Sequence, residues 1–157
     1  MLEGFRHVHP RAQDIIRHGQ DWKLWVLCDR DPVDRWVDGR VALLGDAAHP
    51  TLQYMAQGAC MAMEDAVCLS HELAARPADP EAALEAYRRQ RVMRTARVQL
   101  QSRAIGEHIY HPAGVHAELR NAIMRAKSDA DWYDTLAWLY GGTGLGDVQA
   151  ATAGQAA

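Results

Sequence analysis

The tetrapeptide Pro77-Ala78-Asp79-Pro80 constrains this chain more than any other feature, because it stops one helix and starts the next. Proline cannot continue a helix, so the segment before it must end near Arg76. Asp79 offers an N-cap acceptor and Pro80 a φ already set for the first helical position, which predicts a long helix to about Ile105. Its apolar face includes Leu84, Tyr87, Val92 and Val98. Upstream, Ala59, Ala62, Met63, Ala66, Val67, Ser70 and Leu73 recur at steps of three and four, predicting a helix from Gly58 with a small-residue packing face. A further helix is expected over 116–127. Ser128 with Asp131 reads as a capping box for a last helix through Tyr140, which Gly141 and Gly142 end.

Ahead of these helices the period changes. WKLWVLC, residues 22–28, is rich in aromatic and branched side chains and runs into the turn Asp29 to Pro32, which predicts a buried strand. A second strand is predicted over 40–44, after the turn at Asp38 and Gly39. Its apolar run stops abruptly at Gly45, as a strand of a parallel sheet covered on both faces would. Residues 1–20 read as loop with at most a helical turn near Ile15 and Ile16. The small polar stretch 141–157 has little apolar area to offset the entropy of ordering, so a flexible tail is expected after a structured unit over 1–140. The fold class is α/β, dominated by helix.

Composition removes several function classes. Seventeen Lys and Arg against 20 Asp and Glu give a net charge of -3, which offers no global field for nucleic acid or anionic lipid. Arg88, Arg89, Arg91, Arg94, Arg97 and Arg103 crowd one helix, but they wind around it and lack interleaved aromatics, so packing and ion pairing are expected of them. Three cysteines without a CxxC pair point to a reducing compartment. The opening residues do not read as a signal peptide, and no apolar run reaches the ~18 residues of a membrane span, so a cytoplasmic location is expected. Eight histidines show no familiar metal-ligand spacing, and no GxSxG supports a hydrolase.

The chemistry concentrates in VALLGDAAHP, residues 41–50. Gly45 lets a ligand approach the backbone, Ala47 and Ala48 keep the turn slim, and the Asp46 carboxylate can accept from ligand hydroxyls. A tight turn with Asp46 as a helix N-cap fits the same residues. Eight residues, Thr51 to Gly58, then lead to the next helix.

The string WVDGRVALLGDAAHPTLQYMAQGACMAMEDAVCL resembles the second FAD-binding motif of the flavin-dependent aromatic hydroxylases, nearest to the enzymes acting on salicylate and 3-hydroxybenzoate. DRDPVDRW upstream and YRRQRVMRTARVQ and DWYDTLAWLYG downstream are similar to that group, so the likeness covers about 20–141. It implies that Gly45 and Asp46 meet the ribityl and pyrophosphate part of FAD. His49 and Pro50 would lie near the isoalloxazine edge, Pro50 on the oxygen side. Gln57, Gly58 and Ala59 match the loop whose N–H groups face the flavin pyrimidine ring, where a helix N-terminus favours an anion by about 0.3–2 kcal/mol. Gln53 and Tyr54 are candidates for the substrate and oxygen side. No certain catalytic residue is assigned and no metal is expected.

The implied chemistry is hydroxylation of a hydroxybenzoate with FAD, NADH or NADPH, and O2, with 3-hydroxybenzoate 6-hydroxylation favoured and salicylate hydroxylation the alternative. The family's GxGxxG turn and most of its substrate domain have no counterpart here, since Gly142, Gly144 and Gly146 follow a helix and precede no Rossmann unit. The chain therefore resembles a partial, Rossmann-like FAD-binding unit lacking its N-terminal βαβ, from the C-terminal part of an enzyme more than twice as long. Weak or no FAD retention is expected of it alone, with possible self-association through uncovered apolar faces. A non-catalytic remnant or helical interaction module is the reading from a different class.

Overall fold

The computed structural model describes residues 2–145. Five α-helices follow one another: α1 (Pro10–His18), α2 (Gly58–Ala75), α3 (Pro80–Ile105), α4 (Gly114–Ala126) and α5 (Asp129–Tyr140). The two strands, β1 (Val37–Asp38) and β2 (Val41–Ala42), lie between α1 and α2. Punctuation residues set the boundaries as expected. The Asp79 side chain accepts from the Ala82 N–H with Pro80 in the first turn, and Ser128 with Asp131 forms a reciprocal capping box. α3 passes into a π-helical turn, Gly106–Tyr110, before α4.

The strands differ from expectation in a way that packing explains. β1 and β2 pair antiparallel in a two-residue hairpin, with Val37 opposite Ala42 and Asp38 opposite Val41. Gly39 sits at φ +56 in the first central turn position, which suits a II′ connection. The stretch 22–28 forms no strand: Leu24 is 96% exposed and Trp25 77%. A strand needs a neighbour to take its backbone hydrogen bonds, and among the described residues none lies beside this one. Its aromatic and branched composition records a side-chain preference for a sheet surface that these residues do not provide. Residues 1–20 hold more helix than expected. α1 is a full helix, capped by the His9 ring accepting from the Arg11 N–H, and it buries no residue.

The core forms where α2 crosses α3. One cluster joins Trp36, Ala48, Cys68 and Tyr87, and a second joins Met61, Val98 and Leu139. The buried face of α2 is Met61, Asp65 and Cys68, so the small-residue stripe predicted for that face is displaced: Ala59, Met63, Ala66, Ser70 and Leu73 are exposed. Hydropathy alone assigns an aspartate to solvent, whereas here an arginine from α3 makes its burial stable. The α3 face is Leu84, Tyr87 and Val98 as expected, with Arg91, Thr95, Gln99 and Ser102 buried among them. Of the stretch 141–157, Leu145 packs against the Trp36 cluster, while 146–157 lie outside the described residues. Among the described residues no helix is long and apolar enough to cross a membrane.

Burial predicts how substitutions separate. Met61→Ala empties a fully buried position and should cost about 2–5 kcal/mol in urea unfolding, while Leu24→Asp should stay within about 0.5 kcal/mol. Equal losses at both positions would contradict this packing.

Candidate functional site

The backbone from Leu43 to Leu52 is held from behind by polar side chains. Tyr87 Oη donates to the Leu43 carbonyl at 3.1 Å. The Arg30 guanidinium donates to the Ala47 and Ala48 carbonyls, the latter at 2.8 Å. Gln99 Nε2 donates to the Pro50 and Arg30 carbonyls, each at 3.1 Å, and Ser102 Oγ to the Leu52 carbonyl at 2.6 Å. With these carbonyls satisfied by protein, the Asp46 and Gln53 side chains are left exposed to solvent.

Gly45 makes the bend. Its φ of +59 is one that an L side chain rarely adopts, and a Cβ there would meet Ala62 Cβ of α2 at 3.2 Å. The turn Gly45–Ala47 thus lies directly on α2. The head of that helix is next to it: a Cβ built on Gly58 would lie 4.0 Å from Asp46 Oδ1 and 3.5 Å from Thr51 Cγ2. Gln57 precedes α2 without a side-chain cap, and the first helical bond is Met61 N–H to the Gln57 carbonyl, so the N–H groups of Gly58, Ala59 and Cys60 have no partner within the helix. A carboxylate acceptor therefore lies beside a helix head that offers backbone donors. The cofactor of the resembling family needs both, an acceptor for ribityl hydroxyls and donors for a ring that becomes anionic on reduction. The donor and acceptor set fits that group.

The other candidates lie at different depths. The His49 ring is 1% exposed, its Nε2 2.5 Å from Asp65 Oδ2 and its plane tilted against Trp36 at 5.5 Å, so its side chain serves the core and only its backbone borders the turn. Pro50 is half-buried. Gln57 is buried and donates from Nε2 to Tyr140 Oη at 3.2 Å. Tyr54 turns away, its Oη 2.9 Å from His111 Nε2 and its ring bordering a largely apolar groove of about 630 Å³ between the π turn, α4 and α5.

Beneath the site is an ionic network that sequence reasoning did not single out. Asp65 Oδ1 accepts from Arg91 Nε at 2.7 Å, and its Oδ2 accepts from the Gly45 N–H at 3.1 Å. Arg91 also donates to Glu64 Oε2 at 2.7 Å, and Arg94 grips both Glu64 oxygens and the Trp138 and Leu139 carbonyls. Burial raises the carboxyl pKa of Glu64 and of Asp65. For Glu64 the hydrogen bonds from Arg94 and Arg91 outweigh it, and for Asp65 those from His49, Arg91 and Gly45 do, so both are held below the ordinary value. The remaining arginines of α3 are also engaged: Arg88 and Arg89 with Glu85, Arg103 with Asp29 and Asp31, and Arg97 over the Trp138 ring. The signal that could have found Asp65 is its position seven residues after Gly58, two helical turns along the same face.

The chain belongs to the FAD binding domain family, which matches residues 9–102. It is 53% identical over 141 residues to 3-hydroxybenzoate 6-hydroxylase 1 of Aquipseudomonas alcaligenes, covering 90% of this chain and 36% of that relative. It is 49% identical over 137 residues to the 3-hydroxybenzoate 6-hydroxylase of Polaromonas naphthalenivorans, covering 87% of this chain and 34% of the relative. A 3-amino-4-hydroxybenzoate 2-monooxygenase of Streptomyces cremeus is 43% identical over 145 residues, 92% of this chain and 36% of the relative. The chain thus spans about a third of the length of these relatives.

Two outcomes follow from the network. Arg91→Met leaves the buried Asp65 carboxylate without its counter-charge, while Glu64 keeps Arg94, and should lower unfolding free energy by about 3–5 kcal/mol. The two depressed carboxyls bind protons more readily unfolded than folded, so their stabilisation is present above about pH 4 and lost as pH falls further. Urea midpoints should therefore drop between neutral pH and pH 3, and Glu64→Gln should flatten that drop; an unchanged slope would count against the network.

Proposed function

We propose that this chain is the part of a flavin-dependent aromatic monooxygenase that holds the ribityl chain and pyrimidine edge of FAD, in an enzyme that hydroxylates a hydroxybenzoate. The observation that carries this reading is the placing of the Asp46 carboxylate beside the first residue of α2, 4.0 Å from Asp46 Oδ1 to the Cβ position of Gly58. The names of the relatives at 53% and 49% identity favour 3-hydroxybenzoate 6-hydroxylation over salicylate hydroxylation as the parent reaction. A cytoplasmic setting suits an enzyme supplied with NADH or NADPH.

When bound, FAD supplies a centre that accepts hydride from a nicotinamide nucleotide and delivers one oxygen atom of O2 to a phenol ring. The protein's own residues orient and stabilise. Asp46 accepts hydrogen bonds from ribityl hydroxyls, and Gly45 admits the ligand to the backbone. The N–H groups of Gly58 and Ala59, joined by the dipole of α2, stabilise negative charge on the pyrimidine side, and Gln57 fixes the approach to them. His49 acts through its place in the turn, its ring being committed to Asp65. Pro50, which has no N–H, gives an apolar wall on the oxygen side. The exposed amide of Gln53 is the candidate for hydrogen-bonding an aromatic acid, whereas Tyr54, bonded to His111, faces the groove beside α4.

Fluorescence titration of FAD with the purified chain tests the cofactor assignment. A weak but saturable quench is expected, and Asp46→Ala should raise the dissociation constant about ten- to a hundredfold through loss of charged hydrogen bonds. No saturable quench would favour a non-catalytic remnant. In the intact enzyme, Gln53→Ala should weaken aromatic-acid binding, and unchanged binding and turnover would remove Gln53 from the site.

A further inference from the structure

Asp65 touches both elements assigned to the flavin, yet it faces neither solvent nor ligand. Its Oδ2 takes the Gly45 N–H at 3.1 Å and lies 2.5 Å from His49 Nε2, and its Oδ1 takes Arg91 Nε at 2.7 Å. It is fully buried, and it belongs to the same rigid helix whose first N–H groups stand beside Asp46. One helix therefore carries the donor row at its head and, two turns on, the carboxylate that pins both ends of the turn containing Asp46. Gly45 lies immediately before Asp46 and His49 three residues after it, so the tether brackets the acidic residue.

We propose that Asp65 is a positioning residue: by clamping Gly45 and His49 to α2 it fixes the distance between the Asp46 carboxylate and the helix N–H groups, and so sets the affinity of the site for a flavin. The proposal rests on the cofactor reading above. Arg91 is the counter-charge that keeps Asp65 ionised while buried, which leaves it able to accept on both oxygens. An amide of the same size cannot replace it. Asp65→Asn turns one acceptor into an NH2 donor, and that donor must face either Arg91 or the Gly45 and His49 donors, so one side of the clamp is lost.

The test uses the full 157-residue chain. Asp65→Asn should speed hydrogen exchange of the Gly45 amide and weaken FAD binding, each about tenfold, while helical circular dichroism and cooperative melting persist. A core role alone would lower melting and leave the FAD affinity of the folded fraction unchanged. Should Asp65→Asn fail to fold, His49→Ala removes one of the two loop contacts of the clamp, leaves the Gly45 N–H bond and spares the Arg91 pair. It should weaken FAD binding several-fold, with part of the loss recovered in His49→Gln, which keeps an N–H donor. A folded Asp65→Asn protein with the parent's Gly45 exchange, or a folded His49→Ala protein with the parent's FAD affinity, overturns the proposal. Absence of any saturable FAD quench by the parent chain counts against the cofactor reading instead, and the Gly45 exchange comparison then decides the positioning role alone.

Discussion

Arg91 and Asp65, both without solvent exposure, form the contact on which the rest of the molecule is arranged. Charges taken out of water are costly unless every remaining lone pair and proton finds a partner. Here every buried side-chain polar atom among the described residues has at least one hydrogen bond. The second Asp65 oxygen holds the turn at Gly45 and His49, and the far side of Arg91 reaches Glu64 and the Met61 carbonyl. From Glu64 the network continues through Arg94 to the end of α5. The crossing of α2 over α3 is thus specified by directional bonds as well as by apolar area.

That construction leaves the Asp46 side of the turn facing outward. The carbonyls of residues 43, 47, 48, 50 and 52 point toward Tyr87, Arg30, Gln99 and Ser102, so the backbone is bound along its inner edge. What remains outward is the Asp46 carboxylate and the head of α2. A site whose donors and acceptors are fixed before the ligand arrives loses little to reorganisation, and electrostatic stabilisation by backbone dipoles depends on that rigidity.

The outer parts of the chain are built differently. α1 buries no residue, and the extended stretch with Leu24, Trp25 and Val26 leaves those side chains largely in water. α4 likewise buries none, although with α5 it walls the apolar groove beside Tyr54. These regions carry apolar surface without a covering layer among the described residues, in a chain about a third as long as its relatives.

The sequence by itself determined the helices from Gly58 onward, because N-caps, prolines and glycines act over a few residues and leave a local signature. The motif around Gly45 and Asp46 was legible for the same reason, as a strand end running into a glycine turn. Which residues the helices bury was not legible. The small-residue stripe of α2 marked the wrong face, since burial of Asp65 is stable only with Arg91, 26 positions away, and periodicity cannot register a partner at that distance. The stretch 22–28 shows the converse: its side chains prefer a sheet, but a strand exists only where another strand accepts its hydrogen bonds. Tertiary structure decided these matters, because a charge is buried or a backbone paired according to what lies opposite it in space.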